Sequence, residues 1–103
     1  MGFSAGLDIT TGTLNTLIGG EAGENITTGG NNVALGTQAL RFNTTASNNT
    51  AVGYQAAYTN TTGTQNVAVG KEALYYNVTG TKNTAIGFAA LYANTVSHNT
   101  AIG

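Results

Sequence analysis

The chain has 103 residues, a formal net charge of −1, and only 7% charged residues, where ordinary globular proteins have about 25%. This length allows one domain, and three basic residues are too few for binding nucleic acid or an anionic membrane through charge. The absence of cysteine excludes disulfides and thiolate metal sites, and no apolar run approaches the ~20 residues of a membrane span.

Five residues recur along the chain at a step of 17: Asn, Thr or Val, Ala, an aliphatic residue and Gly. After a partial unit over residues 1–14, copies of this motif begin at Asn15 (degenerate), Asn32, Asn49, Asn66, Asn83 and Asn99, the last step being 16 residues. Internal repetition at a fixed period is typical of solenoids. We therefore treat residues 1–103 as a single repeat domain.

The period and the composition together predict an all-β fold. Helix-pair repeats need about 33 residues or more, and Gly, Asn and Thr are poor helix formers. Each unit has room for two short strands: one ending at the motif glycine, and a second covering residues such as Gln38 to Phe42. One unit per coil gives a parallel β-solenoid of about six coils, roughly 29 Å long at ~4.8 Å per coil.

Alternation along a strand places neighbouring side chains on opposite faces of the sheet. We assign the aliphatic column and a leucine column to the core, that is Ile18, Leu35, Val52, Val69, Ile86, Ile102, Leu40, Leu74 and Leu91. The alanine column then faces outward as a flat interface strip of Ala34, Ala51, Ala68 and Ala85. An alternative stays open, in which these small residues fill a narrow coil interior.

Polar and aromatic columns follow the same step. The motif asparagines are predicted to form an internal amide ladder or to occupy turns. Four N-glycosylation sequons lie at Asn25, Asn43, Asn60 and Asn77, the last three in register at the step of 17, although Asn and Thr at these positions also suit turns and ladders. A stripe that stacks, packs subunits together or binds a sugar is predicted for Tyr58, Tyr75 and Tyr92.

The chemistry-bearing residues form no catalytic or metal-binding pattern. One histidine and four scattered acidic residues give no acid–base pair, and no glycine-rich phosphate loop is present. We expect no catalytic residue, no cofactor, no metal, no nucleic-acid partner and no membrane insertion. Neither end of the repeat has a capping segment in the sequence, so we expect a solenoid uncapped at both ends.

The unit from Asn49 to Gly63 resembles the repeats of bacterial and phage tail-fibre proteins, and is similar to the head repeats of trimeric autotransporter adhesins. This resemblance implies a parallel β-roll, often trimeric, in the stem or head of an extracellular or virion-surface fibre. We expect no signal peptide in the first residues of this sequence, because no charged region followed by an apolar stretch occurs there.

The sequence favours a structural function, with the chain as its own partner in a laterally or end-to-end associated fibre or filament. One alternative is an adhesin or tail-fibre segment that binds a glycan or a cell surface. An ice-binding solenoid is less favoured. The threonines occur mostly as adjacent pairs, such as Thr44 and Thr45, and strand neighbours face opposite ways.

Overall fold

The computed structural model describes residues 2–103, and Met1, which the repeat phase assigns to the aliphatic column, lies outside the described residues. Within this range the chain forms six three-residue strands and no helix. The strands are β1 (Thr16–Ile18), β2 (Val33–Leu35), β3 (Thr50–Val52), β4 (Val67–Val69), β5 (Thr84–Ile86) and β6 (Thr100–Ile102). They stack in chain order into one sheet.

All five strand pairs are parallel, and each residue pairs with its equivalent one repeat away. Ala51 pairs with Ala68, for example, and the shorter last step pairs Ile86 with Ile102. The parallel β-solenoid predicted from the 17-residue period is therefore confirmed, with about five turns. Its principal dimensions are 32 × 20 × 17 Å.

Each strand ends at a corner where glycines stack on one another. Gly53 has a φ of +128°, and Gly36 and Gly70 have +136° and +131°. A Cβ added to Gly53 would lie 2.8 Å from the carbonyl carbon of Gly70 in the next coil. Only glycine combines this backbone conformation with so close an approach between coils.

The second strand predicted for each unit is wrong, because the segment around Gln38 to Phe42 forms turns. Gln38 and Leu40 are left-handed, with φ of +61° and +52°, and Ala39 N donates to Gly36 O at 3.1 Å. Coil-to-coil bonds persist, since Leu40 N donates to Ala56 O at 3.0 Å. Ala39 and Leu40 are both buried. Consecutive inward side chains are incompatible with the alternation of a strand.

The predicted assignment of the strand faces is inverted. The alanines at the centres of β2 to β5 are fully buried, so the alternative in which they fill a narrow interior is correct. The aliphatic column faces outward: Ile18, Ile86 and Ile102 are 50%, 37% and 75% exposed, and Leu35, Val52 and Val69 are half-buried. A coil of 17 residues encloses too little volume for the larger side chains of the strand as well as those packed opposite.

The leucines opposite the strands form the apolar part of the core. Leu40 and Leu74 are fully buried, as predicted, and Leu91 packs against the core from a half-buried position. The coil containing β1 fills the same space differently. Leu17 replaces the strand alanine, and Gly23 replaces the opposite leucine, so that a Cβ on Gly23 would lie 2.7 Å from Leu17 Cδ2.

Candidate functional site

The outward side chains of the six strands form a continuous surface, which we call the outer-face strip. One of its columns is aliphatic: Ile18, Leu35, Val52, Val69, Ile86 and Ile102. The other holds Thr or Val: Thr16, Val33, Thr50, Val67, Thr84 and Thr100. No position of the strip is charged, and parallel pairing aligns both columns along the rod. Hydrophobicity along the sequence does not reveal this surface, because it favours an internal position for the aliphatic column.

The predicted interface strip of alanines is not available to a partner. Ala34, Ala51, Ala68 and Ala85 are all 0% exposed. They pack in one cluster with Leu40 and Leu74 across the coil interior. A surface for association on this sheet therefore has to be built from the outer-face strip.

Three tyrosines stack in one column, which we call the tyrosine ladder. The ring centroids of Tyr58 and Tyr75, and of Tyr75 and Tyr92, are 5.0 Å apart, with interplanar angles of 18° and 15°. Tyr76 packs edge-on against Tyr75 and Tyr92, and Phe42 packs edge-on against Tyr58. Inside the ladder, one ring face covers the next, so the rings present mainly edges and hydroxyl groups to solvent.

The environment of the ladder perturbs its phenols. Desolvation, followed by the neighbouring tyrosines and Glu72, raises the pKa of Tyr75. The pKa of Tyr92 is raised by desolvation and by Tyr76 and Glu72. Both phenols are therefore neutral over a wider pH range than free tyrosine.

Arg41 joins one end of the ladder to two carboxylates. Its Nη2 lies 2.8 Å from Glu21 Oε2 and 3.1 Å from Glu24 Oε1, and its Nη1 donates to the Tyr58 hydroxyl at 3.4 Å. Burial alone would lower the pKa of Arg41, but the hydrogen bonds to Tyr58 and Glu24 and both carboxylates raise it. These contacts join side chains of three successive coils. They also pair the guanidinium with two carboxylates and one hydroxyl group.

Two buried columns of asparagine run through the interior. Asn32, Asn49, Asn66 and Asn83 are at most 1% exposed, and each side-chain Oδ1 accepts the backbone N–H of the next member, as from Asn66 N to Asn49 Oδ1 at 2.9 Å. Their amide groups also donate, as from Asn66 Nδ2 to Gly80 O at 2.9 Å. The half-buried Asn15 and Asn99 continue the column at its two ends.

The second column contains three of the four predicted glycosylation sites. Asn43, Asn60 and Asn77 are 0% exposed, and Asn60 Nδ2 donates to Gly63 O and to Asn43 Oδ1. A glycan does not fit inside the coil, so these three sites are wrong for the folded chain. Asn25 is half-buried, and its amide donates to Asp8 at 3.1 Å.

The paired threonines also have distinct positions. The first of each pair is committed to the backbone, as Thr44 Oγ1 donates to Thr61 O at 3.4 Å and Thr61 Oγ1 to Val78 O at 3.2 Å. The second, such as Thr45 or Thr62, is exposed. In the pairs at residues 27–28, 44–45 and 61–62, only the second threonine is exposed, and these second threonines form one column on the surface.

Acidic and basic side chains meet at Arg41, which contacts Glu21 and Glu24, and at Lys71, whose Nζ lies 4.0 Å from Glu72 Oε1. Among residues 2–103, no three His, Asp or Glu side chains come together as a metal site would require. In the same part of the chain, the structure has no helix long and apolar enough to cross a membrane. His98 is exposed in a turn, with a φ of +65°.

Comparison with known proteins gives no relative for this chain. No family model matches it, and neither a curated protein nor a solved structure matches it. The surfaces described above are therefore the basis for the proposed function.

Proposed function

We propose that the chain is a structural rod that associates laterally with copies of itself, as a segment of an extracellular fibre or filament. The observation that carries the proposal is the outer-face strip, an uncharged surface extending over all six strands. Three of its isoleucines are 37% to 75% exposed. Continuous apolar patches on soluble proteins mark surfaces that bind a partner.

A second copy of the chain suits this strip because it carries the same columns at the same axial spacing. When two strips pack face to face, their aliphatic side chains can interdigitate along the whole rod. No charged group has to be desolvated, because neither strip contains one. The backbone groups of β2 to β5 are already paired with neighbouring strands. The contact is therefore made by side chains, as in the packing of one sheet on another.

The proposal that the rod belongs to a fibre, and that this fibre is extracellular, has a separate basis. They are supported by the resemblance of the repeat around Asn49 to Gly63 to those of tail-fibre proteins and trimeric adhesin heads. An axially uniform rod suits a fibre because each coil contacts only its neighbours, so that length can vary without a change of packing.

The test compares Val69→Asp with the native chain. Val69 lies at the centre of the outer-face strip and points away from the core. A carboxylate here would be desolvated by a partner but remains solvated in the single rod. Sedimentation velocity over a concentration series is expected to give a multiple of the chain mass for the native protein and one chain mass for the variant, with an unchanged circular dichroism spectrum.

Thr45→Asp is the matched control, since it adds the same charge at an exposed position outside the strip. It is expected to associate like the native chain. A native protein that sediments as a monomer at every concentration contradicts the proposal, whatever the variants do. Loss of association in both variants would indicate a general effect of charge rather than a contact through the strip.

A further inference from the structure

We propose that the tyrosine ladder is a site of oxidative cross-linking, at which a carbon–carbon bond joins Tyr75 to Tyr58 or to Tyr92 and so links adjacent coils covalently. The required co-reactant is a peroxide acting through a one-electron oxidant of the haem-peroxidase class. The proposal concerns one chain and does not depend on the lateral association proposed above.

The geometry of the ladder brings the reacting atoms together. Consecutive rings are nearly parallel at 5.0 Å between centroids, and both steps join residues one repeat apart. Dityrosine forms between the Cε carbons, which flank the phenolic oxygen. A modest slide of one half-buried ring over the next brings two such carbons into contact, while the paired backbones hold the two coils in register. Proximity of this kind replaces a bimolecular encounter by an intramolecular one.

The step balances in atoms and electrons. Each of two phenols loses one electron and one proton to become a phenoxyl radical. The radicals combine by forming one Cε–Cε bond, and the two hydrogens on those carbons move to the oxygens, which restores both phenols. Hydrogen peroxide accepts the two electrons and two protons and becomes two molecules of water. The chain therefore loses two hydrogen atoms for each bond.

Oxidation can begin outside the ladder and still end within it. Tyr76 is 46% exposed, and its ring contacts Tyr75 and Tyr92 edge-on, with centroid distances of 4.7 Å and 5.3 Å. A radical formed on Tyr76 therefore lies against two members of the ladder. Tyr54 is equally exposed but lies in another column, against Lys71.

The experiment treats the intact folded chain, at low concentration, with a haem peroxidase and hydrogen peroxide. We expect a monomer lighter by two hydrogen atoms, dityrosine fluorescence, and cross-linked peptides pairing Tyr58 with Tyr75 or Tyr75 with Tyr92. The melting temperature is expected to rise by several degrees, since a link between coils restricts the unfolded chain.

Three variants separate the ladder from the other tyrosines. Tyr75→Phe keeps a stacked ring but removes the central phenol, and is expected to lose most in-chain cross-linking together with the rise in melting temperature. Tyr92→Phe is expected to retain only the pair of Tyr58 with Tyr75. Tyr54→Phe is the control, with an expected yield like that of the native chain.

The unfolded chain in denaturant provides the reference for selectivity, because its five tyrosines then pair without a fixed geometry. The same pattern of pairs in the folded and unfolded chains overturns the proposal. Cross-links mainly through Tyr54, mainly between Tyr76 residues of two chains, or at full yield in Tyr75→Phe, overturn it as well.

Discussion

Ala68 and Val69 are neighbours in β4 and lie on opposite sides of the sheet, with Ala68 fully buried in the coil and Val69 on the outer face. The smaller side chain is inside because Leu74 and the asparagine columns already occupy most of the cross-section. Available volume, rather than hydrophobicity, therefore determines which side chain of the strand lies inside the coil.

The two neighbours should respond oppositely to changes in size. Ala68→Leu is expected to destabilise the single rod by about 1–3 kcal/mol, because added methylenes in a filled interior force their neighbours apart. Val69→Ala removes a partly solvated group and should cost less than about 1 kcal/mol. Urea unfolding at low protein concentration measures both, and a larger loss for Val69→Ala would contradict the assignment of the faces.

Stacking of the glycine corners predicts a sharp contrast between two alanine substitutions. Gly53→Ala places a Cβ 2.8 Å from backbone atoms of Gly70 at a φ of +128°, and is expected to cost at least about 3 kcal/mol. Gly20→Ala meets only Thr37 Cγ2 at 4.0 Å and should be close to neutral. Thermal melts of the two variants provide the comparison, and equal losses would argue against coil-to-coil contact at the corner.

The interior amide column predicts a cost for removing one asparagine. Asn66→Ala leaves the buried Asn83 N–H without its acceptor at 2.9 Å and takes one of two donors from Gly80 O. An orphaned buried group of this kind costs up to about 3 kcal/mol. Thr62→Ala, at an exposed position, is the control in the same denaturant titration. A similar small effect for both would mean that water reaches the column.

Leu17 is large where other coils have alanine, and Gly23 is small where other coils have leucine. We therefore expect the effects of substitutions at these two positions on stability to be coupled. Leu17→Ala is expected to cost about 2 kcal/mol through lost packing, and Gly23→Leu to cost a similar amount through overpacking. The double variant should be more stable than the sum predicts, since Leu40 and Leu74 already adopt a similar φ, +52° and +57° against +56° for Gly23. A double-mutant cycle measures the coupling, and additive losses would refute it.

The phenols of the ladder predict a loss of stability in alkali. The pKa values of Tyr75 and Tyr92 are raised in the folded chain, so folding favours the neutral phenol. This contribution is complete below the unfolded pKa, about 10, and is lost as the pH rises through the raised folded values. Melting temperatures between neutral pH and about pH 11 should fall, and less steeply for Tyr75→Phe. An identical slope in the variant would remove Tyr75 as the cause.

Sequence periodicity identifies several features of this chain by itself. The step of 17 residues establishes which residues stack, because equivalent positions in a parallel solenoid pair directly, as Ala51 does with Ala68. It also places Tyr58, Tyr75 and Tyr92 in one column. The glycine at the end of each strand follows from the same pattern, since every coil turns at the same point.

Strand alternation also relates the asparagine column to the two columns of the strand. The motif asparagine and the alanine two residues later, such as Asn66 and Ala68, share a face of the strand by alternation. An internal asparagine column therefore requires an internal alanine column and an external aliphatic one. An internal position for Asn66 is therefore incompatible with an internal position for Val69, although Val69 is the more hydrophobic residue.

The directions of the strand side chains and the left-handed turns depend on how the coil closes in three dimensions. Side-chain period does not determine how much volume a coil encloses, and that volume is what places Ala68 inside and Val69 outside. The left-handed turns at Gln38 and Leu40 depend on the same closure, because the chain must return to the next strand while directing both Ala39 and Leu40 inward. A repeat thus specifies which residues are neighbours along the axis, whereas only the closed cross-section specifies which way they face.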